Sequence, residues 1–270
     1  MELITKGCIL IIGLVSGYLF NTFIEIVPKY EDNTYVDGDY RNKEKKLKII
    51  DLVLTSKNLI NTGKKRYLLV AIITGVIFIL IYNKYMMTFR TIYYLLLVSL
   101  LIIITFIDID HFIIPDKIIV VGIIIALLFN IFEFGISIVD SILGAVISGL
   151  GTLLVIYLIE FITKKECMGG GDIKLFAMTG LFLGIKGGIL TIILSIYVGA
   201  IYGIITIIYS KVNNNKQYKS MIPYGPFISI AALITILWGN RIIDWYLAML
   251  IWYATTYKKR NLYDFFFYLI

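Results

Sequence analysis

The chain has 270 residues, of which 59% are hydrophobic and 16% charged, and its formal net charge is +7. That composition leaves too little polar surface for a soluble globule, and several apolar runs approach the ~20 residues a helix needs to cross a bilayer. It indicates an all-α protein, a polytopic bundle of transmembrane helices, and excludes a soluble nucleic-acid binder, because the basic residues lie between apolar runs instead of on one polar face. Two cysteines without CxxC spacing, Cys8 and Cys167, and a single histidine, His111, provide neither a disulfide framework nor a zinc site, so no metal is expected.

In chain order, the first apolar run, residues 7–27, has the core of a signal peptide but no small-residue cleavage site after it. It is read as a retained span. Further spans are expected at 67–83, 91–107, 117–134, 139–163, 173–185, 187–209 and 226–238, which makes eight, and an ambiguous ninth at 242–254. The polar segment 29–66 holds ten Lys or Arg against six acids and should be cytoplasmic by the positive-inside rule. Alternating sides from there puts the connections 108–117, 164–174 and 210–222 inside as well and leaves Lys84, Arg90, Lys186 and Arg241 outside; the N-terminus, with Lys6, would face outward, and Lys258, Lys259 and Arg260 would be inside only if the ninth span exists. Within the first loop, KEKKLKIIDLVLTSKNLI has apolar residues at helical spacing flanked by lysines. It suits an amphipathic helix on the inner leaflet, or equally a solvated linker containing a short helix.

Two stretches could carry chemistry. IDIDHFIIPD, residues 107–116, ends the third span with three carboxylates, and Pro115 should break the helix there and lead into the next one at Asp116. Asp108 alone reads equally well as a solvated boundary acid. Asp110, two residues on, would point to the opposite side of a helix, so these two acids are not expected to pair. His111 reads as a hydrogen-bonded boundary residue. The second stretch is CMGGGDIK, residues 167–174, in which Asp172 is placed to cap the following helix and the glycines allow close backbone approach. A phosphate loop is disfavoured by the missing Lys-Ser/Thr ending and by the acid itself.

Asp108 and Asp172 are more than sixty residues apart, yet the topology puts both at helix ends on one membrane side. Such a pair could share a water, with one carboxylate ionised to take its proton and the other protonated to donate to a peptide oxygen or leaving nitrogen. The pair would titrate as a unit.

These motifs together resemble the type IV prepilin peptidases, membrane aspartic proteases of the GxGD class. The resemblance is carried by Asp108 with Pro115-Asp116 seven residues later, by GGGDIKL at 169–175, by PYGPFIS at 223–229, and by the N-terminal GLVSGYLFNTFIEIVP, and it extends from about residue 13 to 239. It implies that Asp108 and Asp172 are catalytic, that Gly169 and Gly171 shape the turn, and that Lys174 is a counter-charge near the pair or a cation reaching for lipid phosphate. It further implies prepilin or pseudopilin substrates in the cell membrane, whose short basic leader is cut after a Gly at the cytoplasmic face without a cofactor. Many bacterial members also N-methylate the new N-terminus using S-adenosylmethionine and carry two CxxC pairs in the first loop. Residues 29–66 contain no cysteine, which puts the methyltransferase activity in doubt, while Asn21 is a retained N-terminal feature.

Three regions are expected: 1–66, an N-terminal span with the basic loop; 67–240, the peptidase core; and 241–270, an extension that could add a span. Two other readings compete. A proton-coupled or ion transporter would use acids in the middle of spans. A noncatalytic scaffold would use small-residue helix contacts such as Gly13-xxx-Gly17.

Overall fold

The structure is a computed structural model that describes residues 2–35, 64–164, 168–212 and 222–267. Cys167 and the amphipathic segment expected in the first loop lie outside the described residues. Among the described residues there are seven helices and no strands: α1 (Glu2–Tyr35), α2 (Lys64–Tyr85), α3 (Phe89–His111), α4 (Asp116–Ile131), α5 (Ile138–Thr163), α6 (Gly170–Val212) and α7 (Gly225–Phe267). Six are long and apolar enough to cross a membrane, the exception being the 16-residue α4.

The centre of the bundle is α3. Its residues Tyr93, Leu97, Leu101 and Ile104 recur at helical spacing and are almost fully buried, and Asp108 continues the same stripe one turn further. An acid at that register has to be buried along with the apolar residues before it, and only 5% of Asp108 is exposed. α3 packs on α7 and α1, α1 packs on α2, and α7 packs on α6. The α1–α2 seam consumes the Gly13-xxx-Gly17 motif: a Cβ at Gly13 would sit 2.8 Å from the Gly75 Cα, and one at Gly17 would sit 2.7 Å from the Ala71 Cα. Small residues let the two backbones touch within one chain, so the motif is already used inside the fold.

α6 is bent at Gly184, whose φ of 71° and ψ of −173° are accessible to little but glycine. Beyond the bend the chain turns back. A Cβ on Gly188 would lie 3.3 Å from the Gly180 Cα, although eight residues of straight helix span about 12 Å. The two arms are antiparallel and match the separate spans expected at 173–185 and 187–209. A turn of this kind frees carbonyls at the end of the first arm and N–H groups at the start of the second, and each side is met by a side chain. Ser141 Oγ (2.5 Å) and Asn130 Nδ2 (3.3 Å) donate to the Leu181 carbonyl, Tyr93 OH donates to that of Phe182 (3.2 Å), and Asp140 Oδ1 accepts the Ile185 N–H (3.2 Å).

The other differences from the eight or nine expected spans lie in α4 and α7. α4 is about 24 Å long at the usual helical rise, shorter than the ~30 Å hydrocarbon core. α7 is one continuous helix where two runs, 226–238 and 242–254, are expected. Gly239-Asn240-Arg241 interrupts the hydropathy without removing a backbone donor, so the ladder continues. Lys84 Nζ donates to the Ile236 and Leu237 carbonyls, both at 2.8 Å, and ties α7 to the far end of α2.

Candidate active site

Three helix termini meet at one end of the bundle: the last turn of α3, the first turn of α6 and the start of α7. α3 ends with Phe112 in the left-handed conformation, its N–H returning to the Asp108 carbonyl at 2.9 Å. Pro115 then starts α4 from an extended conformation, as the break at that residue predicts, and its carbonyl accepts the Ile118 N–H at 3.1 Å.

Asp108 Oδ2 accepts the backbone N–H of Gly225 at 2.8 Å. The first N–H groups of a helix have no partner within it, and Pro226 next to Gly225 has none to offer. Asp108 therefore caps α7 from another helix, which leaves its second oxygen free for chemistry. The approach requires glycine, because a Cβ on residue 225 would lie 2.8 Å from Asp108 Oδ2 and 3.3 Å from its Cγ.

Asp172 is half-buried in the first turn of α6, two residues inside the helix start at Gly170. It is not the cap expected from its place after three glycines. That position falls to Gly169, whose carbonyl accepts the Asp172 N–H at 3.2 Å. The Asp108 and Asp172 carboxylates are near enough to interact electrostatically. Gly171 packs against the α3–α4 connection, where an added Cβ would sit 3.0 Å from Ile114 Cβ.

The remaining candidates are displaced from this pair. Lys174 Nζ holds both oxygens of Asp116, at 2.7 and 2.8 Å, so it links the starts of α4 and α6 instead of acting as a counter-charge to Asp172. Both side chains are largely exposed, and such a pair contributes at most ~1 kcal/mol. Lys174→Met in purified protein should accordingly change thermal stability little. Asp110 pairs with Arg66 of α2 at 2.5 Å, on the side of α3 away from Asp108. His111 is exposed at the end of α3.

Gly225 and its neighbour Tyr224 belong to the site; both lie in the PYGPFIS stretch that carries the resemblance, although the sequence gives neither a role. The available signal is a glycine between Tyr and Pro at the start of an apolar helix. Burial pushes the Tyr224 phenol up from its ordinary range, so it remains protonated, and it lies within the field of Asp172. Neither acid sits in mid-span, where a transporter would need it: Asp108 is in the last turn of its helix and Asp172 in the first turn of its own.

The model of the type IV leader peptidase family matches residues 95–204. A prepilin leader peptidase/N-methyltransferase of Aeromonas salmonicida is 34% identical over 186 residues, covering 69% of this chain and 62% of that protein. The proteins of the same name from Pseudomonas aeruginosa and Legionella pneumophila are 36% and 35% identical over 183 and 182 residues, each match covering 62% of the relative. The chain thus spans about three fifths of the length of the curated relatives it matches. No solved structure gives a significant match. Residues 95–204, the stretch that matches the type IV leader peptidase family, carry both carboxylates of the pair.

Proposed function

We propose that the protein is a membrane-embedded aspartic endopeptidase that removes the basic leader from type IV prepilins or pseudopilins, with Asp108 and Asp172 as its catalytic residues. The observation that carries the reading is the meeting of two acids at helix ends, one of them fixed by a backbone N–H from a third helix. The ionised carboxylate takes a proton from water, and the resulting hydroxide oxygen bonds to the carbonyl carbon of the leader's last residue, the Gly. The protonated carboxyl gives its proton to the carbonyl oxygen. Collapse of the tetrahedral intermediate breaks the C–N bond, the proton held by the first carboxylate passes to the leaving nitrogen, and a hydroxyl proton of the intermediate returns to the second carboxylate as the new carbonyl forms.

The cytoplasmic orientation of the site belongs to the same proposal. The segment 29–66, with ten Lys or Arg against six acids, connects α1 to α2 at the carboxylate end, where Lys117, Lys164, Lys174 and Lys211 also lie, whereas Lys6, Lys84, Arg90, Lys186, Arg241, Lys258, Lys259 and Arg260 lie toward the opposite end. By the positive-inside rule the richer end faces the cytoplasm. The core of the activity is assigned to residues 67–240, which contain both acids and Gly225.

Methylation is supported by the relatives' names but not by Asn21. Its side chain is 1% exposed and its amide donates to the Gly17 carbonyl on its own helix at 3.0 Å, which turns it into the α1–α2 seam. Its Oδ1 has no hydrogen-bond partner among the described residues, and the proposal is confined to proteolysis. Incubating purified protein with a prepilin, with and without S-adenosylmethionine, and weighing the product tests both points. A product lighter by the leader supports the peptidase, and intact prepilin would overturn it. An added methyl mass would restore the second activity.

A further inference from the structure

The residue that aligns the Gly225 N–H with Asp108 is its chain neighbour. We infer that Tyr224 is a positioning residue of the site: its ring, wedged among both arms of α6 and α7, sets the start of α7 and thereby the carboxylate that Gly225 holds. This rests on the peptidase reading of the site and adds to it a residue that touches neither water nor substrate.

Four contacts fix the ring. It meets Phe176 of the first α6 arm at 6.4 Å between centroids and Phe227 of α7 at 5.6 Å, edge-on. On the second arm its hydroxyl is 3.3 Å from Ser195 Oγ, and a Cβ added at Gly199 would lie 3.3 Å from its Cε2. Phe176 is one turn beyond Asp172 on the same arm, so one ring touches the helix that bears Asp172 and immediately precedes the N–H that holds Asp108. The Tyr224 carbonyl also accepts the Phe227 and Ile228 N–H groups, at 3.0 and 3.2 Å, and so begins α7. Proline on either side, Pro223 and Pro226, restricts the backbone around it. Movement of the ring is therefore transmitted to Gly225 instead of being absorbed by the loop.

Packing of the ring outweighs the hydroxyl bond, which is long for two hydroxyl groups. This gives an ordered set of outcomes for cleavage of a prepilin by purified full-length variants. Tyr224→Ala should lower kcat about 100-fold with KM nearly unchanged, as expected when a reacting group shifts by about 1 Å. Tyr224→Phe should restore the rate to within about threefold of the parent. Gly199→Ala, which presses on the ring from the second arm without touching either acid, should lower kcat several-fold at unchanged KM, and it keeps the test informative if Tyr224→Ala fails to fold. Unchanged kcat in Gly199→Ala, or a Tyr224→Phe variant as impaired as Tyr224→Ala, would overturn the ring's positioning role. Prepilin left intact by the unsubstituted protein would overturn the peptidase reading instead, so the two failures are distinguishable.

Discussion

Asp108→Asn should leave the protein inserted and folded while lowering prepilin cleavage by roughly 10²–10⁴-fold, the range for removal of a general acid or base. Asparagine keeps an oxygen at the position that accepts the Gly225 N–H at 2.8 Å, so the cap on α7 survives and only the proton chemistry is lost. Asp172→Asn should have a similar effect for the same reason, since the first turn of α6 is held by the backbone bond from its N–H to the Gly169 carbonyl, which the substitution leaves alone. If the acids act as one unit, the double variant should be hardly worse than either single variant. The measurement is the initial rate of leader release by single and double variants of matched thermal stability. Retained cleavage by either single variant would remove that residue from the pair, and effects that multiply would show that the acids act independently.

Gly225→Ala should be nearly as damaging without altering any ionisable group. The new methyl would stand 2.8 Å from Asp108 Oδ2, well inside van der Waals contact, so either the carboxylate or the start of α7 has to give way. The N–H bond to Asp108 is then lost, and the buried carboxylate is left without its donor and displaced relative to Asp172. A loss in kcat on the order of 10²-fold is expected from displacement by about 1 Å, together with about 1–3 kcal/mol of stability from the unsatisfied buried acceptor. Parallel measurement of kcat and of the thermal midpoint separates these components. A variant with normal kcat would show that the Gly225 contact caps a helix and does nothing for catalysis.

The helical class, the membrane setting and most helix positions are legible in the sequence because they depend on local composition: an apolar run must leave water wherever it lies, and Pro115 breaks a helix whatever surrounds it. Even the break in α6 shows as the boundary between two expected spans, although only the φ of Gly184 reveals a tight reversal there. Two expectations fail for the opposite reason. Asp172 has the neighbours of a cap, yet the helix starts two residues earlier, because nothing in a run of glycines specifies which one begins the ladder. Lys174 lies two residues from Asp172 but pairs with Asp116, 58 residues away, because the starts of α4 and α6 are packed side by side.

The same distinction divides the site. The sequence by itself determined that two acids, Asp108 and Asp172, would lie at helix ends on one side of a membrane, since hydropathy and chain direction decide which end of each span a residue occupies. The tertiary structure alone decided how Asp108 is held. An unpaired N–H at the start of α7 and a carboxylate on the buried stripe of α3 are each incomplete hydrogen-bonding groups, and only the packing of α3 against α7 makes them partners across 117 residues. Local pattern places a group on its helix, whereas its orientation toward a second group depends on which helices touch.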